Sequence, residues 1–199
     1  MNFEGYLCGV FLMSKNKEEN LMANTKYGVV ETSKINATYL GGGHIFSVVD
    51  DAAAMENGMI VALGDPVETS GNEEYKAATP TKGSQVVLIA NPALIYDQST
   101  TVGQAEYNYV IEAGKSARAY TLVPRDMYGI SDYLITKAAG EKVTVGNLVV
   151  AKDRKYQEIA KATAVTDYGF VAKIRYTYIK SGVTMVMLEV MKNTEVATA

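Results

Sequence analysis

The sequence predicts a mainly β protein: a short-stranded barrel or sandwich with few short helices, built as two similar β lobes or, on the alternative reading, as one domain. Three observations lead there. Runs of strand length, rich in Val, Ile, Tyr and Thr and bounded by Gly, Asn, Asp or Pro, recur along the chain. No long amphipathic helix is written between them. And one short strand with its turns occurs twice, Gly58–Asp65 ("GMIVALGD") aligning without gaps on Gly146–Asp153 ("GNLVVAKD").

Taken in order, the strands expected are Tyr27–Glu31, Ile35–Leu40, His44–Val49, Met59–Leu63, Glu74–Ala78, Gln85–Ala90 and Tyr107–Glu112. Arg118–Val123, Met127–Ile130, Leu134–Lys137, Leu148–Ala151, Ile159–Val165, Phe170–Ile179 and Val183–Met191 follow. Lys180-Ser181-Gly182 reads as the turn of one hairpin and Gly114-Lys115-Ser116 as that of another. Helical pieces are expected only at Asp51–Glu56, Asn91–Tyr96 and Ser131–Ala139. A polar stretch over 95–108 divides the chain into lobes at 22–97 and 98–199.

Composition narrows the chemistry. At 199 residues, with 48% hydrophobic and 21% charged residues and 4 Pro, the chain has the profile of a folded protein able to bury a core. A formal charge of −3, with no basic cluster, speaks against nucleic acid and against an anionic membrane surface. The single Cys8 cannot close an internal disulfide. With a single His44, and no CxxC or HExxH, no zinc site of the usual kind is spelled out. Asp50, Asp51 and Glu56 in "VVDDAAAMEN" read as turn and cap residues before they read as cation ligands.

Residues 1–21 differ in texture. The apolar run Tyr6–Met13 falls short of the ~20 residues that a bilayer-spanning helix needs. Glu4 and the missing cleavage pattern do not fit a signal peptide. Lys17-Glu18-Glu19 ahead of Met22 fits purine-rich codons before a start, so translation from Met22 is expected, with residues 1–21 as an upstream extension.

No nucleophile–base pattern stands out. GxSxG is absent, His44 sits at the start of a strand, and "GGGH" (residues 41–44) leads into a strand where a phosphate loop would lead into a helix. No catalytic residue, metal ligand or cofactor site is therefore assigned, and no enzyme activity is expected. The candidate functional residues are contact residues. Tyr107 and Tyr109 in "AEYNYVIE", and Tyr176 and Tyr178 in "KIRYTYIK", each pair two rings on one strand face. Met185 and Met187 in the last strand face away from Val186 and Leu188, which predicts cover on both sides, by the fold itself or by a neighbouring subunit.

The G-x-[IL]-V-x-x-x-D element, with "EYKAATPTKGSQVVLIANP", the stretch "EAGKSARAYTLVPRDMYGISDYLI" and the opening "MANTKYGVVETS", resembles the decoration or cement proteins of tailed-phage heads. The likeness covers most of residues 22–199 in texture and short stretches in motif. It implies a β scaffold without an active site in the virion head, assembled in the bacterial cytoplasm. The implied partner is the major capsid protein, with the chain acting as a homo-oligomer or symmetric array. A tail-tube or other virion β protein, and a carbohydrate-binding or host-adhesion module, are the alternatives.

Overall fold

The two glycine turns that open the repeated strand show how local sequence sets this fold. Gly58 (φ 88°) and Gly146 (φ 92°) each occupy the third position of a four-residue turn. Met59 N–H bonds to Glu56 at 3.2 Å in the first, and Asn147 N–H to Thr144 at 3.1 Å in the second. That position of a type II turn needs a left-handed backbone, which glycine supplies without a Cβ clash. A strand follows each turn, but the two strands then diverge. The first runs Ile60–Pro66 and carries Asp65 through an irregularity in its pairing with the Glu74–Ala78 strand. The second stops at Lys152, leaving Asp153 (φ 50°) and Arg154 (φ 63°) to make a tight reversal. The repeat is thus a shared turn-and-strand start, used in two different sheets.

A computed structural model describes residues 27–40, 44–71, 73–93, 105–140 and 142–196. Along them run β1 (Val30–Lys34), α1 (Ala37–Leu40), β2 (Ile45–Val49), β3 (Ile60–Pro66), β4 (Glu74–Ala78), β5 (Val87–Ile89) and β6 (Ala117–Thr121). Then come β7 (Met127–Ser131), β8 (Ile135–Thr136), β9 (Leu148–Lys152), β10 (Lys155–Ile159), β11 (Phe170–Lys180) and β12 (Val183–Asn193). β2, β4, β3, β5 and β6 close a five-stranded barrel, in which β2 and β4 run parallel. The others form a seven-stranded sheet in the order β1-β7-β12-β11-β9-β10-β8. The fold is mainly β, as the sequence predicts.

These hydrogen-bonded units do not follow a cut at residue 97. β1 precedes the barrel in sequence yet pairs with β7 of the sheet, while β6 pairs with both β2 and β5 to close the barrel. Nor are the units separate in packing. Val61, Val87, Ile89, Ala117 and Ala119 point into the barrel, joined by Val48, Met55 and Ile111. Their strand neighbours Ile60, Leu88 and Tyr120 point outward, into a second core with Tyr128, Ile130, Val186, Leu188, Val190, Val149 and Phe170 of the sheet. Hence β5 is apolar at every position: its two faces serve two cores.

Polar staples join the parts. Asn193 accepts from Val86 N–H at 2.9 Å and donates to the carbonyls of Val86 and Leu122 at 2.8 Å each. Arg154, held out by the β9–β10 reversal, pairs with Asp50 and donates to the Ala77 carbonyl at 3.0 Å. Gly83 and Gly169 pass so close that a Cβ on Gly169 would lie 2.3 Å from the Gly83 carbonyl.

Several expectations are corrected. Residues 35–40 form a turn and α1, because Asp126 binds Asn36 N–H at 3.0 Å and the Thr38 hydroxyl bonds back to Ile35 at 2.6 Å. Tyr107–Glu112 is a 3-10 turn (Glu106–Asn108) and a single bridge from Ile111 to Met55, so Gly114-Lys115-Ser116 does not join a hairpin. The strand expected over Ile159–Val165 lies earlier, at β10, with a turn closing from Thr163 N–H to Ala160 at 2.9 Å. Asp51–Glu56 is not helical: Asp50 takes the Ala52 and Ala53 N–H groups at 2.9 and 3.1 Å and bends the chain. Ser131–Ala139 keeps only the 3-10 turn Asp132–Leu134. Residues 91–93 carry no helix, and the rest of Asn91–Tyr96 lies outside the described residues, as do 1–26 and the glycines at 41–43.

Candidate interaction surface

The best-defined surface of contact type is the face of the seven-stranded sheet that turns away from the barrel. It arises from one extra residue. Along β11 the even positions Ala172 and Ile174 face the core, and in an unbroken strand Tyr176 and Tyr178 would follow them inward. The register instead runs Ile174↔Leu188 and then Tyr176↔Met187, leaving Arg175 as a bulge. A bulge moves everything after it to the opposite face. Tyr176 and Tyr178 therefore lie on the outer face with Met187 and Met185, their rings 5.9 Å apart.

This face is built in depth. Met185 is fully buried and Met187 is 8% exposed, and neither joins the two cores beneath. They pair across strands with Ser131 and Gly129 of β7 on one side and with the tyrosines on the other. The Tyr178 hydroxyl donates to the Glu31 carboxylate of β1 at 2.6 Å. To get there the side chain passes over Gly129, where a Cβ would sit 2.2 Å from the phenol oxygen. Burial first, then the bond to Glu31 and its charge, hold the Tyr178 phenol well above its ordinary pKa. Tyr176 is the exposed partner, at 45%. Arg175 pairs with Glu189, and Lys180 lies 3.7 Å from Glu106.

The six contact residues named from sequence thus part company. Tyr176 and Tyr178 share a face with Met185 and Met187, but the two methionines are support under the surface and not contacts on it. Tyr107 lies in the 3-10 turn, where its carbonyl receives Tyr27 N–H at 2.7 Å. Tyr109 packs against the barrel interior, its hydroxyl 3.3 Å from Asn91 Nδ2. These two do not form a joint platform on one strand face.

Glu31 and Gly129 escaped sequence reasoning. A glycine inside a strand, as in "DMYGIS", is itself a sign of close approach by another group. The register that brings Glu31 to Tyr178 across three strand pairs left no mark in the sequence.

The other features are less developed. His44 lines a groove of about 420 Å³ at one side of the barrel with Phe46, Leu63, Gln85, Val87 and Glu195. Asp50 serves Arg154 and the turn beneath it, and Glu56 accepts from Gly28 N–H at 3.0 Å. Among the described residues, no group of His, Cys, Asp and Glu is arranged to hold a metal ion, and no helix is long and apolar enough to cross a membrane. Comparison with protein-family models, with curated proteins and with solved structures finds no match to this chain.

Proposed function

We propose that this chain is a structural virion protein of a tailed phage or prophage, a capsid decoration protein that binds the outer head surface through contacts with the major capsid protein. The observation that carries the reading is the outer sheet face. A surface for repeated attachment to a shell needs exposed rings and aliphatic groups on a stiff support. Here Tyr176 (45% exposed) stands on that face and Ile179 (77% exposed) on the other side of the same strand, in a sheet that shares one core with a closed barrel. Aromatic side chains of this kind supply contact area at small entropic cost. The sequence resemblance supports the same reading. A symmetric shell presents many identical sites, so modest affinity per copy suffices when copies also touch one another.

The test is intact-mass spectrometry on particles pelleted from an induced culture of the source strain. The expected result is a stoichiometric species in the particles. Finding the chain only in the soluble fraction overturns the reading and directs effort to glycan binding at Tyr176, the host-adhesion alternative. Rings or tubes formed by the pure chain would instead identify a tail-tube protein.

A further inference from the structure

We infer that two copies of this chain join edge to edge along β11, in antiparallel register about a two-fold axis at Thr177. The inference rests on the oligomeric part of the proposed function and supplies the surface for it.

It begins with an asymmetry in the long hairpin. β12 is paired with β7 along Met185–Glu189. β11 is paired with β9 only at Val171, Ala172 and Lys173, and Ile174 exchanges bonds of 2.9 Å with Gly146 and Asn147. Beyond that, among the described residues, the edge of β11 from Arg175 to Lys180 makes no backbone hydrogen bond on its outer side. A strand edge with open N–H and C=O groups is a template for another strand.

The other two edges of the sheet are guarded. β8 is two residues long. β1 carries Glu31 and Lys34 and has an irregular register. The β11 edge has neither protection. Its middle is Tyr-Thr-Tyr-Ile, all good strand formers, and it contains no proline. The two cations that flank it are already neutralised, Arg175 by Glu189 and Lys180 by Glu106.

The occupant follows from pairing rules. In a two-fold edge contact the opposed residues must share a face, so the axis has to pass through a residue and not between two. With the axis at Thr177, Tyr176 on the outer face opposes Tyr178 of the second copy, twice over. On the inner face Thr177 opposes itself, while Arg175, the bulge residue, turns toward Glu189 of the outer face and takes no part in the paired register. No like charges meet. Aromatic pairs and Thr–Thr pairs are among the favourable cross-strand combinations. The groove of about 620 Å³ beside this edge, lined by Asp132, Lys142, Val143, Thr177, Ile179 and Thr184, has room for the inner-face side chains of the second copy.

The experiment uses the full chain with Cys8→Ala, which removes its only native thiol. Adding Thr177→Cys places two thiols opposite each other at a Cα separation of about 4.5–5.5 Å, within disulfide range. Mild oxidation is expected to convert most of the chain to a covalent dimer, while Cys8→Ala with Ile179→Cys stays largely uncrosslinked. Sedimentation velocity should show a concentration-dependent dimer for the native chain. Thr177→Lys, which opposes two like charges at the axis, should give a monomer with an unchanged circular dichroism spectrum. A native chain that is monomeric throughout the micromolar range, without Thr177→Cys dimers, overturns the inference. So does a dimer that persists in Thr177→Lys. Both readouts need only the pure chain, so failure here leaves the virion assignment standing, and absence from particles leaves the dimer standing.

Discussion

The two faces of the seven-stranded sheet bury similar residues by different means. On the inner face Val186, Leu188 and Val190 meet a second layer of structure, the outward side of the barrel. On the outer face Met185 and Met187 are almost as well hidden, yet outside both cores. Their cross-strand neighbours there include two tyrosines, one anchored to Glu31 and one left exposed. Burial alone does not therefore tell how firmly a position is held. The inner face packs on the barrel, whereas the neighbours described for the two methionines on the outer face are side chains of adjacent strands.

The strongest way to break this contrast is to empty each face in turn. Leu188→Ala should cost about 3–5 kcal/mol in urea unfolding, because the barrel and sheet cannot close over the cavity. Met187→Ala, beside side chains free to collapse, should cost about 2 kcal/mol. Equal losses would show that the outer face is packed as rigidly as the inner one.

Gly129→Ala comes next. The added methyl collides with the Tyr178 phenol oxygen, so the side chain must leave Glu31, at an expected cost of about 1–3 kcal/mol. Tyr178→Phe removes only the hydrogen bond and should cost about 1–2 kcal/mol in the same measurement. A Gly129→Ala variant as stable as the parent would show that the crossing of Gly129 is not needed.

The alkaline limb sharpens the same point. Tyr178, and the buried Tyr128 and Tyr156, all have phenol pKa values raised in the folded state, chiefly by burial. A raised value means that the unfolded chain ionises first. Their contribution is complete below the ordinary phenol pKa of about 10 and is lost as pH climbs from there toward the folded values. Thermal melts should fall above about pH 10, and Tyr178→Phe should make that fall shallower. An unchanged slope would place Tyr178 outside the alkaline transition.

The smallest effects mark the two extremes of cover. Tyr128 and Tyr156 have hydroxyls buried in the shared core, with no hydrogen-bond partner beyond each other among the described residues. Tyr156→Phe should therefore change stability by no more than about 1 kcal/mol. Tyr176→Ala, at an exposed position, should change stability by no more than about 0.5 kcal/mol while weakening self-association.

The sequence was informative wherever a local rule acted alone. The positive-φ turns at Gly58 and Gly146, the reversal at Ser181-Gly182, the strand Glu74–Ala78 and the opposed sides of Val183–Met191 follow from residue type and period. It misled where a side chain from afar decided the backbone, as Asp126 does at Asn36. The contact residues fared alike: one Tyr-x-Tyr lies on a strand face as expected, and the other is drawn into a turn against the barrel.

What the sequence by itself determined is the β class, the two glycine turns and the lack of a long helix among the described residues, because φ preference and side-chain period are properties of a few adjacent residues. Tertiary structure alone decided that β6 closes the barrel and β1 joins the sheet. It alone decided that the bulge at Arg175 carries the tyrosines to the outer face. Both depend on which distant strands pair and in what register, and many registers satisfy the same local pattern until packing on two cores selects one.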